Sequence, residues 1–319
     1  MADLTRQDVI MILAAPRRDD DFNLIHLRGV NLAHLDLKRL FMRTVNLSLA
    51  NLTGANLSGA DLQKANLSYA NLSGADLTEA SLEGANLEYA DLTGAELCRA
   101  DMSSANLEGA TLYKSQMNSV NLKNANLTNA ILTNATLTEA SLEGARLKGA
   151  DLENINLEKA NLEKANLEMA NLNNAFLFDA NLNQANLNQA KMIGAILKDV
   201  FLHKAIMKKA TLRGANLSNA QLSEVSLDGA DLSNAKLYKA NLWKAILKNV
   251  NLSCADLTEA DMGDSNLYAA NLSDANLRHA NLGGAYRNGI ILTGTNLEYA
   301  DLGDVNKWRS ESFSVDLPF

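Results

Sequence analysis

The chain has 319 residues, with 29 Lys+Arg against 37 Asp+Glu for a formal net charge of −8, and is 47% hydrophobic but only 5% aromatic. The apolar content is mostly Ala and Leu, and no apolar run approaches the ~18 residues that a membrane-spanning helix needs. Two cysteines, Cys98 and Cys254, exclude a disulfide-dense scaffold and suit a reducing compartment.

Residues 1–24 form a lead-in. Thr5-Arg6-Gln7-Asp8 is a capping box that opens a short helix carrying Val9, Ile10, Ile12 and Leu13, stopped before Pro16. The apolar run Val9–Ala15 is short and follows a mixed-charge start, so it makes a poor secretion signal, and a cytoplasmic protein is expected. The helix is expected to act as a lid on the first repeats of the chain.

From Leu27 to Leu302 every fifth residue is Leu or Met, except Arg287, without one insertion or deletion. Take this position as i. Position i−2 is usually Ala, i−1 is usually Asn or Asp, and Gly is frequent at i+2 (Gly54, Gly59, Gly74, Gly84, Gly94). A period of five advances about 140° past a full turn of an α-helix, so the apolar stripe would wander and bury nothing consistently. In a flat strand an odd period sends successive Leu side chains to opposite faces. What remains is a chain that bends at every repeat, points each Leu at one axis, and stacks its coils through backbone hydrogen bonds. The i−1 Asn/Asp side chains are expected to bond to neighbouring backbone.

Runs such as ANLSGADLQKANLSYANLSGADL and NLEKANLEKANLEMANLNNANL resemble the A(D/N)LXX signature of the pentapeptide-repeat family, over roughly residues 25–305. The resemblance implies an all-β fold, a right-handed quadrilateral β-helix with i and i−2 inside and i−1, i+1 and i+2 outside. At twenty residues per coil it would have about 14 coils and a length of about 65 Å. Cys98 and Cys254 would then lie nearly eight coils apart, beyond disulfide reach. The predicted organisation is a lead-in and capping helix (1–24), the β-helix (25–305) and a C-terminal cap or tail (306–319).

Within the repeats, Ile25, Val30, Leu35, Leu40 and Val45 at i−2 should broaden the first coils or pack against the lid. Tyr69 and Tyr89, twenty residues apart, should stack beside Leu49. Between 176 and 250 the core pattern holds but the surface changes. Sites 176, 191, 196, 201 and 206 read Phe, Lys, Ile, Phe and Ile where Asn is the rule. Projected on a twenty-residue coil, Phe176, Phe178, Ile196, Lys198, Phe201, His203, Lys204, Ile206, Lys208, Lys209, Tyr238, Trp243 and Lys244 form one aromatic–basic patch wrapping a corner. Arg287 replaces an inward Leu, and the desolvation cost of a guanidinium predicts a local distortion that swings it outward or to the open end. In residues 306–319, Trp308, Phe313, Val315, Leu317 and Phe319 would form a cap. A monomer is expected, or a dimer through the C-terminal end.

Charge varies by segment. Residues 51–170 carry 8 basic against 16 acidic side chains, 191–250 carry 10 against 4, and 251–319 carry 4 against 10. His26, His34, His203 and His279 share no metal-ligand spacing, no phosphate-binding glycine loop precedes a helix, and Glu153, Glu158, Glu163 and Glu168 fall on different sides. No cofactor, no metal and no catalysis are expected. The leading expectation is a non-catalytic interaction scaffold docking an unidentified, acidic protein partner through the patch near 176–248. The alternatives are the family branch that imitates duplex DNA and protects type II topoisomerases, or a binder of single-stranded nucleic acid or an anionic membrane surface through the Lys belt (Lys198, Lys204, Lys208, Lys209, Lys236, Lys239, Lys244, Lys248). The belt interrupts a negative stripe and disfavours the first, and the flanking acidic segments disfavour nucleic acid.

Overall fold

Each five-residue repeat contributes one short bridge and one turn, and the repeats close a coil every twenty residues. Parallel bridges link each i−1 residue to its counterpart twenty residues on, as in Asn46↔Asn66, Asn66↔Asn86 and Ile206↔Ser226. Five residues per side and twenty per coil give four sides. The structure, a computed structural model, describes residues 4–14 and 25–304. It forms two compact units, Met1–Asn161 and Leu162–Phe319.

The same ladder builds both units. In the first, Leu47 N donates to Asn66 O at 2.7 Å and Asn66 N donates to Val45 O at 2.9 Å. In the second, Leu227 N donates to Ile246 O and Ile246 N to Val225 O, each at 2.8 Å. Leu side chains at i stack along the axis with essentially no exposure, and Ala at i−2 fills the space beside them. One Leu per repeat contributes about 2 kcal/mol, so stability accumulates along the stack.

The corners explain the rest of the repeat. At each, the N–H three residues past Leu donates back to its carbonyl, as Ala50 N to Leu47 O at 3.0 Å. Every i+2 residue from Gly29 to Tyr299 has a positive φ. This is a type II turn, whose third residue must be left-handed. Glycine suits the site, but most corners use another residue, and Thr44 is the only β-branched one among the non-glycine residues with positive φ. The i−1 side chain braces the turn: Asn46 Oδ1 accepts from Ser48 N at 3.0 Å, and the pattern recurs at Asn51, Asn71, Asp91 and Asn216. Its amide also reaches the preceding coil, as Asn126 Nδ2 to Asn106 Oδ1 at 2.9 Å.

In the first unit, helix α1 (Arg6–Ala14) opens with the capping box. Thr5 N and Oγ1 donate to Asp8 Oδ2 at 2.8 and 2.7 Å, and Asp8 N donates to Thr5 Oγ1 at 3.2 Å. The Thr5 hydroxyl, then its N–H, hold the Asp8 carboxyl below its ordinary range. That contribution is present above the unfolded pKa and fades as pH falls through the lowered one. Val9 is fully buried. Arg6 donates to the carbonyls of Asp36 and Lys38 in the first coil, two acceptors that a preceding coil would otherwise have met.

The wide i−2 residues do stretch the first corners. The turn bonds at Val30, Leu35, Leu40 and Val45 are 3.3–3.4 Å, against 3.0 Å at Ala50 and Ala55. Tyr69 and Tyr89 stack at 5.2 Å between centroids, as expected.

In the second unit, of the two expected outcomes for Arg287, outward or toward the open end, the outward swing does not occur. The ladder continues on both sides of it through Asn266↔Tyr286 and Asn271↔Ile291, and Arg287 stays inward at 5% exposure. Its Nη1 donates to Ala285 O at 3.0 Å, which gives one edge of the guanidinium a backbone acceptor where it stands. Breaking two flanking bridges to release it would cost backbone hydrogen bonds already made. Two serines occupy inward i−2 sites in the two units. Ser115 Oγ donates to Leu112 O at 2.8 Å, whereas the Ser265 hydroxyl is buried with no hydrogen-bond partner among the described residues. Ser265→Ala should therefore raise stability by about 1 kcal/mol, measured by urea unfolding, whereas Ser115→Ala should not. Residues 306–319, including Trp308, Phe313, Val315, Leu317 and Phe319, lie outside the described residues, as does Pro16.

Candidate interaction surface

All the patch residues fall in the second unit, whose coils can be followed by their i−1 ladders. A first side runs through Phe176, Ile196, Asn216 and Lys236. The second runs through Asn181, Phe201, Gln221 and Asn241, the third through Asn186, Ile206, Ser226 and Ile246. The fourth carries Lys191 and Thr211. Phe176 and Ile196 are direct bridge partners, both exposed. Lys198 Nζ lies 5.9 Å from the Phe178 ring centroid. Phe201 and Ile206 stand exposed on the next two sides, so the apolar residues wrap the unit and do not form a single flat face.

Other predicted members keep their columns but meet different neighbours. Tyr238 lies two coils from Lys198, with Ser218 on the rung between them. Its hydroxyl bonds Glu259 Oε1 at 3.2 Å and its ring carries Lys239 Nζ at 5.1 Å. Those two partners, Tyr238 first, raise the Lys239 pKa. His203 and Trp243 lie two coils apart, with Ser223 between them. The His203 Nδ1 shares a 2.8 Å hydrogen bond with Ser223 Oγ, and its backbone N–H donates to Asn183 Oδ1 at 2.8 Å. Trp243 places its Cδ1 3.4 Å from where a β-carbon on Gly263, in the next coil, would lie, and holds Lys244 Nζ 4.1 Å from its ring centroid.

The charges are less exposed than the sequence count implies. Lys204 pairs with Glu224 at 3.7 Å and Lys208 with Asp228 at 3.9 Å, each one coil on. Lys239 pairs with Glu259 at 3.4 Å and Lys198 with Asp199 at 3.8 Å. Exposed pairs of this kind contribute little to stability, about 0–1 kcal/mol each, but they do cancel local charge. Lys209, Lys244 and Lys248 have no ion pair among the described residues.

Several exposed residues were missed in the sequence. Ile246 is 39% exposed, and Tyr268 and Tyr286 stack at 6.4 Å, continuing the third side beyond it. Tyr299 packs on His279 at 5.0 Å and under the Arg278 guanidinium at 5.6 Å. The twenty-residue projection contained the second pair, since Tyr299 follows His279 by one coil, whereas Tyr268 and Tyr286 are eighteen residues apart and meet diagonally on one side. In the first unit Phe41 is 81% exposed and borders an open hollow of about 230 Å³ with Ile10, Leu13, Ala14 and Leu40. None of those side chains can act as acid, base or nucleophile. Among the described residues no group of three or more His, Cys, Asp or Glu could hold a metal, Cys98 and Cys254 are free thiols, and no helix is long and apolar enough to cross a membrane.

Comparison with known proteins gives a consistent family. The family described as Pentapeptide repeats matches in eight copies, over residues 46–84, 80–118, 115–154, 140–177, 177–214, 215–253, 230–267 and 270–306. No curated protein sequence matches significantly. Among solved structures, HetL, a pentapeptide repeat protein involved in heterocyst differentiation regulation from the cyanobacterium Nostoc sp. strain PCC 7120, is 28% identical. The match covers 95% of this chain and 98% of that one, with a TM-score of 0.27. QnrB1, a plasmid-mediated fluoroquinolone resistance protein, is 17% identical over 63% of this chain and 98% of its own, with a TM-score of 0.34. Rfr23, from the cyanobacterium Cyanothece 51142, is 34% identical over 33% of this chain and 60% of its own, with a TM-score of 0.17.

Proposed function

For this chain, which belongs to the pentapeptide repeat family and so to the right-handed quadrilateral β-helices, we propose the role of a non-catalytic scaffold that docks another protein through the second unit. One observation carries this reading. Exposed Phe176, Ile196, Phe201 and Ile206 occupy ladder sites where Asn or Asp elsewhere braces its own corner. Large apolar side chains there forgo the bracing bond and spend their area on solvent, which is the mark of a surface that gets covered. Trp243 and its lysine add an amphipathic anchor of the kind that dominates interface energetics.

The same reading includes about fourteen coils at twenty residues each, α1 and residues 306–319 as end caps, and a cytoplasmic location. Capping follows from the need of any solenoid to hide its terminal backbone edge, and the Arg6 bonds to Asp36 and Lys38 support that reading for α1.

The test is capture from the native cell lysate by the full chain, compared with a double variant Phe201→Asp, Trp243→Asp. Wild type should retain at least one protein that the variant loses about tenfold or more, a change expected when central anchors are removed. Identical captures from both would remove the docking surface.

A further inference from the structure

The third side of the second unit carries a repeated row. Lys204-Ala205-Ile206-Met207-Lys208 on one coil recurs as Lys244-Ala245-Ile246-Leu247-Lys248 two coils later. Between them lies an acidic row, Glu224-Val225-Ser226-Leu227-Asp228, in register through the bridges Ile206↔Ser226 and Ser226↔Ile246. Both acids of this middle row turn to the first lysine row, at 3.7 and 3.9 Å. The second lysine row is left with exposed Lys244 and Lys248 on either side of exposed Ile246.

Among the described residues no acid on the following coil forms an ion pair with it. Asp264, one rung beyond Lys244, directs its Oδ1 over Gly284, into the space that a β-carbon there would fill. The rung beyond Lys248 is Tyr268, stacked on Tyr286. Lys244 itself is steadied over the Trp243 ring while its ammonium stays exposed. The result is two exposed cations flanking an apolar residue, the first of them oriented by Trp243, with aromatic rings on both borders.

From this we infer that the Lys244–Ile246–Lys248 row binds an extended acidic protein segment whose carboxylates stand four residues apart around an apolar or small residue. The chain supplies its own precedent: Glu224-Val225-Ser226-Leu227-Asp228 has that spacing and already pairs with an identical Lys-x-Ile-x-Lys row. In an extended strand, residues k, k+2 and k+4 share a face and k to k+4 spans about 13 Å, and the row offers that face three outward residues, Lys244 at one corner, Ile246 at the bridge and Lys248 at the next corner. A long polyanion is a poorer occupant, since Glu224, Asp228 and Asp264 lie within one or two rungs and repel a continuous line of phosphates. This inference rests on the proposed docking role and names its partner chemistry.

The test uses the full chain and a fluorescein-labelled heptapeptide, Thr-Glu-Thr-Ile-Thr-Glu-Thr, followed by anisotropy at low salt. Controls are the isomer Thr-Glu-Thr-Ile-Glu-Thr-Thr, the Gln-for-Glu peptide and a fifteen-residue oligothymidylate. Two exposed ion pairs give up to about tenfold in affinity. The first peptide should therefore bind about tenfold tighter than the Gln peptide and severalfold tighter than its isomer. Lys244→Gln with Lys248→Gln should abolish that preference, and Glu224→Gln with Asp228→Asn should strengthen binding severalfold, each variant keeping the wild-type far-UV spectrum. Equal binding by the lysine variant, indifference to carboxylate spacing, no binding at low salt, or tighter binding of the oligothymidylate would each overturn the inference. The lysate comparison with Phe201→Asp, Trp243→Asp reads the docking surface separately. Loss there with failure here would remove only the acidic-segment chemistry.

Discussion

Replacing Leu87 with Asp should destabilise the first unit by about 5 kcal/mol or more, and replacing it with Ala by about 3 kcal/mol. Leu87 stands in the inward column between Leu67 and Leu107, all three at 0% exposure. The alanine variant leaves a cavity between two leucines held at ladder spacing, which the hydrogen-bonded coils cannot close. The aspartate variant adds a carboxylate to an apolar column with no free donor, because the backbone N–H groups of the neighbouring coils are already donating along the ladder. Urea unfolding followed by far-UV dichroism measures both. An aspartate variant as stable as the alanine one would show that the column admits water, and the dry core would have to be abandoned. Arg287 is not a counterexample, since it lies within the last few described repeats and its Nη1 reaches the Ala285 carbonyl.

A second large effect is expected at a corner. Gly109 has φ +64 and its absent β-carbon would lie 2.3 Å from the Tyr89 ring. Valine there must adopt a left-handed backbone, at about 1–2 kcal/mol, and must also push aside a ring that stacks on Tyr69, a contact worth about 0.5–1.5 kcal/mol. Gly109→Val should cost about 3 kcal/mol. Gly94 shares the left-handed φ but has open space where a β-carbon would go, so Gly94→Ala should cost only about 1 kcal/mol. Equal losses at both sites, by thermal or urea unfolding, would mean that the stacked ring contributes nothing to that corner.

These two cases separate what is legible in one dimension from what is not. The inward column needs only periodicity: a Leu every five residues is incompatible with a helix or a flat strand, so burial of Leu87 follows from the chain's spacing. The Asn46-to-Ser48 brace and the Tyr69–Tyr89 stack follow in the same way, because residues two apart share a turn and residues twenty apart share a column. The frequent glycines at i+2 marked a special site, but the left-handed corner at Lys204 or Glu79 has no marker in the side chain.

Direction and pairing belong to the tertiary structure alone. Counting charges placed Lys204, Lys208, Lys244 and Lys248 in one belt of equal members. Only the coordinates separate the first two, held by Glu224 and Asp228, from the second two, because each acid sits between two lysine rows and a side-chain torsion selects one. Arg287 is the same lesson inside the column. The cost of burying its charge was legible, but the carbonyl that receives it depends on a long side chain's path through packed neighbours. Spacing along a chain determines which residues share a column; which neighbour a flexible side chain then chooses is decided by torsions and local packing that spacing does not contain.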